Sequence, residues 1–94
     1  MILRPLQIDL LQLLVKRHAE TGSYPTLAVI AGELHVERTA VPAMLKRLEK
    51  LGAIRIDPRN GAGREAVSYA RRLHVLIDEE TIALGGAEQP MLFS

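Results

Sequence analysis

Two short stretches with helical apolar spacing, separated by only a few residues, most constrain what this chain can fold into. In the first stretch, apolar residues recur at i, i+3, i+4 and i+7, which predicts a helix over Leu27–Leu34 with Thr26 as its N-cap. The second stretch predicts a helix over Thr39–Leu51 that ends at Gly52, where glycine suits a left-handed stop. Its inward residues are predicted to be Val41, Met44, Leu45, Leu48 and Leu51.

A longer helix is predicted before this pair, over Pro5–Glu20. Proline suits the first helical position, and Gly22 suits the residue after the last turn. Apolar residues form two stripes on nearly opposite sides of this helix, so we expect it to be buried on both sides. The first stripe is Leu6, Leu10, Leu13 and Leu14, and the second is Ile8, Leu11 and Val15.

The chain after Gly52 has a weaker pattern. Apolar and polar residues alternate over Ala53–Asp57, which predicts a half-buried strand, and Pro58–Glu65 has the glycines of a loop. Residues 65–77 fit either a strand or a helix. The β-formers of Leu73–Ile77, and the need of the first strand for a partner, favour a strand. A further short strand is predicted over Thr81–Leu84, and then a weakly structured tail.

Composition excludes several classes of protein. The 94 residues form one domain, and the absence of cysteine excludes disulfides, thiolate zinc sites and cysteine nucleophiles. No apolar run is long enough to span a bilayer, and the start lacks the pattern of a signal peptide, so we expect a cytoplasmic, nucleoid-associated protein that binds no membrane. The three histidines are far apart and no serine has a nucleophile context, so we expect no metal, no cofactor and no enzyme activity.

Charge is unevenly distributed along the chain. The net charge of +1 conceals nine basic and four acidic residues between Glu37 and Arg72. The last 22 residues, from Leu73, contain four acidic residues and neither lysine nor arginine. This asymmetry indicates a middle region that faces a polyanion and a tail with a different role.

Two short helices and then a hairpin with a basic loop give the order of elements in a winged helix-turn-helix. The stretch from Gly22 to Ile56 resembles that family, particularly the LexA-type and MarR-type transcription regulators. The resemblance implies an α+β, mainly α fold, with three helices followed by a β-hairpin wing. The domain would span 1–77, with a C-terminal extension over 78–94. The positions that match the family pattern are Pro25, Thr26, Ile30, Ala31, Leu34, Val36, Leu45, Leu48, Lys50, Gly52 and Ile54.

The chain departs from the family pattern at the turn and at the start of the third helix. His35 stands where the family usually has glycine, so a positive φ there would be less favourable. Glu37 stands where serine or threonine usually caps the helix, and Pro42 follows early. Because proline removes a helical hydrogen bond except in the first turn, we expect the helix to start late, near Thr39, or to have an irregular first turn.

The resemblance implies a double-stranded DNA-binding regulator, in particular a repressor that occupies an operator. The third helix would lie in the major groove, and the wing would contact the backbone or the minor groove. The alternative is a winged-helix protein-interaction module, such as a replication, partition or anti-regulator component. The predicted DNA-binding residues are Thr26, Arg38, Thr39, Pro42, Ala43, Lys46, Arg47, Lys50, Arg59 and Arg64.

The second apolar stripe of the first helix needs a cover, which is either a second subunit or the tail of the same chain. Dimeric operators mirror the two-fold symmetry of the proteins that bind them, so a homodimer is the favoured prediction. A protein partner could also bind through the tail. The predicted dimer interface consists of Ile8, Leu11, Val15, Leu73, Val75 and Ile77.

Overall fold

The computed structural model describes residues 2–58 and 69–86. Within these ranges, helices dominate and two strands form a small antiparallel sheet, which confirms the predicted α+β, mainly α class. No described helix is long and apolar enough to cross a membrane. The elements are α1 (Pro5–Thr21), α2 (Leu27–Leu34), a 3₁₀ turn (Arg38–Ala40), α3 (Val41–Leu51), β1 (Ile54–Ile56), α4 (Tyr69–Arg72), β2 (Leu73–Val75) and α5 (Glu79–Ala83).

Helix α1 begins at the predicted residue, ends at Thr21, one residue later than predicted, and contributes both of its stripes to the core. Its first residue is Pro5, and Gly22 follows it in the left-handed region at φ 82°. Leu10, Leu11 and Leu14 are completely buried. Leu6 is 42% exposed, so its expected place in the core is wrong. It is the second residue of the helix and lines a groove between α1 and α2.

The segment after the sheet covers one side of α1. Helix α5 packs against α1 and buries Ile82 completely. The backbone N–H of Leu3 donates to the carbonyl of Gly85 at 2.8 Å, which ties the chain before α1 to the end of α5. The core therefore lies between α1, α2, α3, the sheet and α5.

The strand predicted over Thr81–Leu84 is wrong, because Glu79–Ala83 is a helix. Asp78 is its N-cap, and the carboxylate accepts a hydrogen bond from the backbone N–H of Thr81 at 2.8 Å. If Thr81–Leu84 were a strand, it would be a third strand of the sheet, but the described sheet has only two. The cap and the burial of Ile82 therefore decide the conformation.

The two strands pair where the pattern placed them. Ile54 lies opposite Val75 and Ile56 lies opposite Leu73, so β1 presents both isoleucines to the core. The strand favoured for residues 65–77 is confirmed at Leu73–Val75, whereas Tyr69–Arg72 is a helical turn and residues 65–68 lie outside the described part. The helical spacing over Tyr69–Arg72 was therefore the correct alternative there.

Candidate nucleic-acid interface

Helix α3 has one buried face and one exposed face. Val41, Leu45 and Leu48 are completely buried against the rest of the core. Leu51 was expected inward, but it is 37% exposed because it lies in the last turn, beside the glycine that ends the helix. On the outward side Thr39, Ala43, Lys46, Arg47 and Lys50 are exposed, and Pro42 is half-buried. The predicted residues of this helix therefore share one accessible surface.

The start of α3 is irregular, as its sequence predicts. Arg38–Ala40 form a 3₁₀ turn, and the N–H of Ala40 donates to the carbonyl of Glu37 at 2.9 Å. The regular helix begins at Val41, so Pro42 is its second residue, where a missing N–H costs no helical hydrogen bond. Thr39 lies inside this turn and makes no cap, so its exposed side chain can contact a partner.

The turn between α2 and α3 passes through His35, which has φ 58° and ψ 46°. It is the one non-glycine residue with positive φ among the described residues. The backbone N–H of Val36 donates to the carbonyl of Ala31 at 3.0 Å and closes the turn. The backbone at this position is left-handed, a conformation that glycine adopts more easily than histidine because it has no Cβ atom.

Thr26 caps α2, as predicted. Its hydroxyl oxygen accepts a hydrogen bond from the backbone N–H of Val29 at 3.3 Å. The side chain is exposed, so the hydroxyl can still donate its own proton outward. An ion pair at 2.8 Å between Arg17 and Glu33 links α1 to α2.

The basic side chains of the described residues divide into paired and unpaired groups. Arg17 and Arg55 form ion pairs with carboxylates. Arg38, Lys46, Arg47 and Lys50, in contrast, have no hydrogen-bond or ion-pair partner within residues 2–58 and 69–86. These four cations lie on α3 or the turn that precedes it. The surface predicted to face DNA therefore carries positive charge that the described residues do not neutralise.

Glu49 is the one carboxylate within α3, and it is turned toward the sheet. Its Oε2 accepts a hydrogen bond from the backbone N–H of Ile56 at 3.3 Å. This bond joins the third turn of the helix to β1, which leads into the predicted wing. Sequence reasoning missed this role, although a lone acidic residue among the basic residues of a helix is the signal that could have indicated it.

A second cluster that sequence reasoning missed lies where the two strands leave the core. The Asp57 carboxylate contacts His74 Nε2 at 2.9 Å and accepts from Arg55 Nε at 3.1 Å. The hydrogen bond from His74, followed by the charge of Arg55, holds the pKa of Asp57 below its usual value. Arg72 donates to the backbone carbonyl of Asp57 at 2.9 Å and lies 4.7 Å from the centre of the Tyr69 ring. These contacts fix the ends of the segment that contains the predicted wing.

Arg59 and Arg64, the predicted wing residues, lie outside the described residues, as does most of the predicted loop Pro58–Glu65. The strands on both sides of that segment are antiparallel neighbours, as a hairpin requires. The wing contacts therefore stay predictions.

The predicted dimer interface is only partly accessible. Leu11 is completely buried and Leu73 is 1% exposed within a single chain, so neither can contact a second subunit. Their predicted role is wrong, because both side chains belong to the buried core of a single chain. The other four positions, Ile8, Val15, Val75 and Ile77, are half-buried.

The family model of the LexA DNA binding domain matches residues 2–64 of the chain. The match covers about two thirds of the chain and includes α1, α2, α3 and β1. The resemblance to MarR-type regulators stays a prediction. No curated protein and no solved structure matches the chain.

Proposed function

The chain belongs to the LexA DNA-binding domain family, and we propose that it is a sequence-specific regulator of transcription that binds double-stranded DNA. In this proposal α3 enters the major groove, where an α-helix fits and where the edges of all four base pairs can be distinguished. Thr39, Pro42 and Ala43 would face the bases. The function is binding without catalysis, in the cytoplasm and on the nucleoid.

The observation that carries this proposal is the outward face of α3. Four cations that have no partner among the described residues lie on α3 and the turn before it, and the opposite side of α3 is anchored in the core; these cations are Arg38, Lys46, Arg47 and Lys50. Phosphate contacts supply most of the non-specific affinity for DNA and orient the reading helix. Because the Glu49 carboxylate accepts a hydrogen bond from β1, its negative charge lies toward the sheet and not among these cations.

The direct test replaces two of these cations. The Lys46→Ala/Arg47→Ala variant should bind duplex DNA more weakly, and its slope of log affinity against log salt should flatten by about 0.9 for each phosphate contact that is lost. The control is Lys16→Ala/Arg17→Ala, which removes the same two residue types from α1 together with the surface ion pair between Arg17 and Glu33. Fluorescence anisotropy over a series of salt concentrations measures both quantities. An unchanged affinity and slope for the α3 variant would falsify the assignment of this face.

Specificity needs a separate test, because the salt slope reports phosphate contacts only. Selection of bound fragments from random duplex DNA should return a defined sequence. If no sequence is enriched but binding is salt-dependent as expected, then the protein binds DNA but is not a sequence-specific regulator. A chain that is not retained on heparin or random duplex DNA would instead favour the protein-interaction module.

We further infer repression by occupancy of an operator, since a domain that covers its site needs no second surface to block access to it. Measurement of transcription from a template that carries the selected site tests the direction of regulation. Transcription should fall as the concentration of the protein rises. Activation at the same concentrations would overturn the repressor assignment without affecting DNA binding.

A homodimer completes the proposal, since one reading helix and one wing bury a limited area of DNA. The half-buried residues Ile8, Val15, Val75 and Ile77 are the remaining positions of the predicted interface. Sedimentation should show a dimer at concentrations on the order of tens of micromolar, and the selected DNA site should be palindromic. A monomer with a single, asymmetric site would overturn the dimer.

A further inference from the structure

A groove of about 810 Å³ lies between the α1–α2 connection and the segment that follows the predicted wing. One wall comes from the end of α1 and the residues before α2, and the other comes from α4 and β2. The lining residues include Ser23, Thr26, Arg71 and His74, with Tyr24 and Leu73 at the base. The hydroxyl of Tyr24 accepts a hydrogen bond from the backbone N–H of Val75 at 3.2 Å, which holds the two walls together.

The polar groups of this groove are suited to an anion. Ser23 and Thr26 present exposed hydroxyls, and Arg71 presents an exposed guanidinium. Of the described residues that line the groove, none is acidic. The groove between α1 and α2 differs, because Asp9 and Glu33 line it together with Lys16. The Asp57 carboxylate contacts the lining residue His74 but is already engaged by it and by Arg55, so the exposed donors of the groove remain available to negatively charged oxygens.

Two adjacent arginines show which side chain is available. Arg72 is engaged with the carbonyl of Asp57 and with the Tyr69 ring. Arg71 is exposed and has no hydrogen-bond or ion-pair partner among residues 2–58 and 69–86. Sequence reasoning assigned neither residue a role. Arg72 therefore has a structural role, whereas Arg71 is available to bind a ligand.

We propose that this groove binds a phosphate of the DNA backbone, with Arg71 as the principal contact and the hydroxyls of Ser23 and Thr26 as secondary donors. The proposal rests on the proposed function and adds a contact outside α3 and the predicted wing. Thr26 caps α2, and α2 packs against α3. The groove is thus connected to α3 through one intervening helix, and a helix in the major groove has a phosphate backbone on each side.

The test uses the full chain and a random-sequence duplex, because a backbone contact is independent of base sequence. Arg71→Ala should lower the affinity roughly three- to eight-fold near 0.1 M salt and flatten the salt slope by about 0.9, as expected for one lost phosphate contact. Arg71→Lys keeps the charge and should retain most of the slope. The control is Lys16→Ala, which removes one exposed cation from the groove that contains carboxylates.

Each outcome supports or overturns the proposal. Equal losses on random and selected duplexes, with Arg71→Lys near wild type, support a backbone contact. If Arg71→Ala binds DNA with unchanged affinity and slope, the groove proposal is overturned but the proposed function stands. A loss confined to the selected sequence would identify a base contact and also overturn it. Absence of any duplex binding by the wild-type chain would overturn the proposed function and this contact together. Circular dichroism of each variant confirms that it is folded.

Discussion

The three long helices and the segment from Tyr69 to Gly86 fold for different reasons. Helices α1, α2 and α3 have 17, 8 and 11 residues, apolar residues at helical spacing, and left-handed residues at their C-terminal ends. The later elements have four, three and five residues. Isolated helices and strands of a few residues are marginal, and α4 and α5 are the shortest described α-helices, so their conformation depends most on what they contact. The comparison shows where local sequence specifies structure and where tertiary packing does.

The same difference separates the roles of the two regions. The long helices hold an exposed cationic surface on α3 in a fixed orientation, because three of its residues are completely buried on the other side. The later segment closes the core through Leu73 and Ile82 and contributes Arg71 to the groove. The later segment therefore supports the cationic surface of α3 indirectly, by packing against α1 and β1.

The largest expected effect in the later segment comes from Ile82→Ala, which removes the buried anchor of α5. Truncation of a fully buried isoleucine costs about 2–5 kcal/mol of unfolding free energy. The variant should lose protection of the amides of α5 before those of α3, because α5 has too few residues to persist alone. Urea unfolding and hydrogen exchange measure these two effects.

Leu84→Ala is the matched control for that experiment, since Leu84 follows α5 directly but is 78% exposed. A surface truncation of this kind should change the unfolding free energy by no more than about 0.5 kcal/mol. If the two variants cost the same, or if α5 retains its protection without Ile82, the segment does not depend on packing and the comparison fails.

The success of the sequence predictions follows the same division. The bounds of α2, the N-cap at Thr26 and the late start caused by Pro42 could all be predicted, because each depends on residues within a few positions. The helix of Glu79–Ala83 could not be predicted, because Thr81, Ile82 and Leu84 suit a strand equally well until α1 is known to lie beside them.

The candidate site divides in a similar way. The exposed face of α3 follows from apolar spacing alone, and so its residues could be named in advance. Arg71 could not be distinguished from Arg72, because their difference arises from Asp57, which is distant in the sequence and adjacent in the fold. The burial of Leu11 in the core, which removes it from a dimer interface, likewise requires the folded chain.

A smaller effect is expected at the turn that joins α2 to α3, the one place where the long-helix region is strained. The left-handed backbone of His35 costs about 1–2 kcal/mol for a residue with a Cβ atom. His35→Gly relieves this cost but adds about 0.4–1 kcal/mol of unfolded-state entropy. We therefore expect a net gain of about 0.5–1 kcal/mol in unfolding free energy.

His35→Ala separates backbone strain from loss of the imidazole, because alanine keeps the Cβ atom. Chemical unfolding should show stabilisation by glycine and none by alanine. Equal effects of the two substitutions would mean that the imidazole, and not the positive φ, determines the stability of this turn. DNA affinity should be unchanged in both variants, since the residue is not on the outward face of α3.

The smallest effect on the unfolding free energy is expected from acid. Acid should weaken the contact between Asp57 and His74, which joins β2 to the end of β1. The hydrogen bond from His74, with the charge of Arg55, lowers the pKa of Asp57 in the folded chain. A carboxylate with a lowered folded pKa stabilises the fold above its unfolded pKa, and this contribution is lost as the pH falls through the folded value. The loss should therefore begin below about pH 4, near the ordinary value for aspartate.

Asp57→Asn removes this titration, so its unfolding free energy should fall less steeply than that of the wild type between about pH 5 and pH 2. Asp9→Asn is the control, since Asp9 is an exposed carboxylate of α1 with no hydrogen-bond or ion-pair partner among the described residues. Asp78 retains its own acid sensitivity in both variants, because its hydrogen bonds from Thr81 also lower its pKa. If Asp57→Asn and Asp9→Asn have the same acid profile, then the contact between Asp57 and His74 does not stabilise the sheet. In that case the later segment is held by the burial of Leu73 and Ile82 without help from the polar cluster.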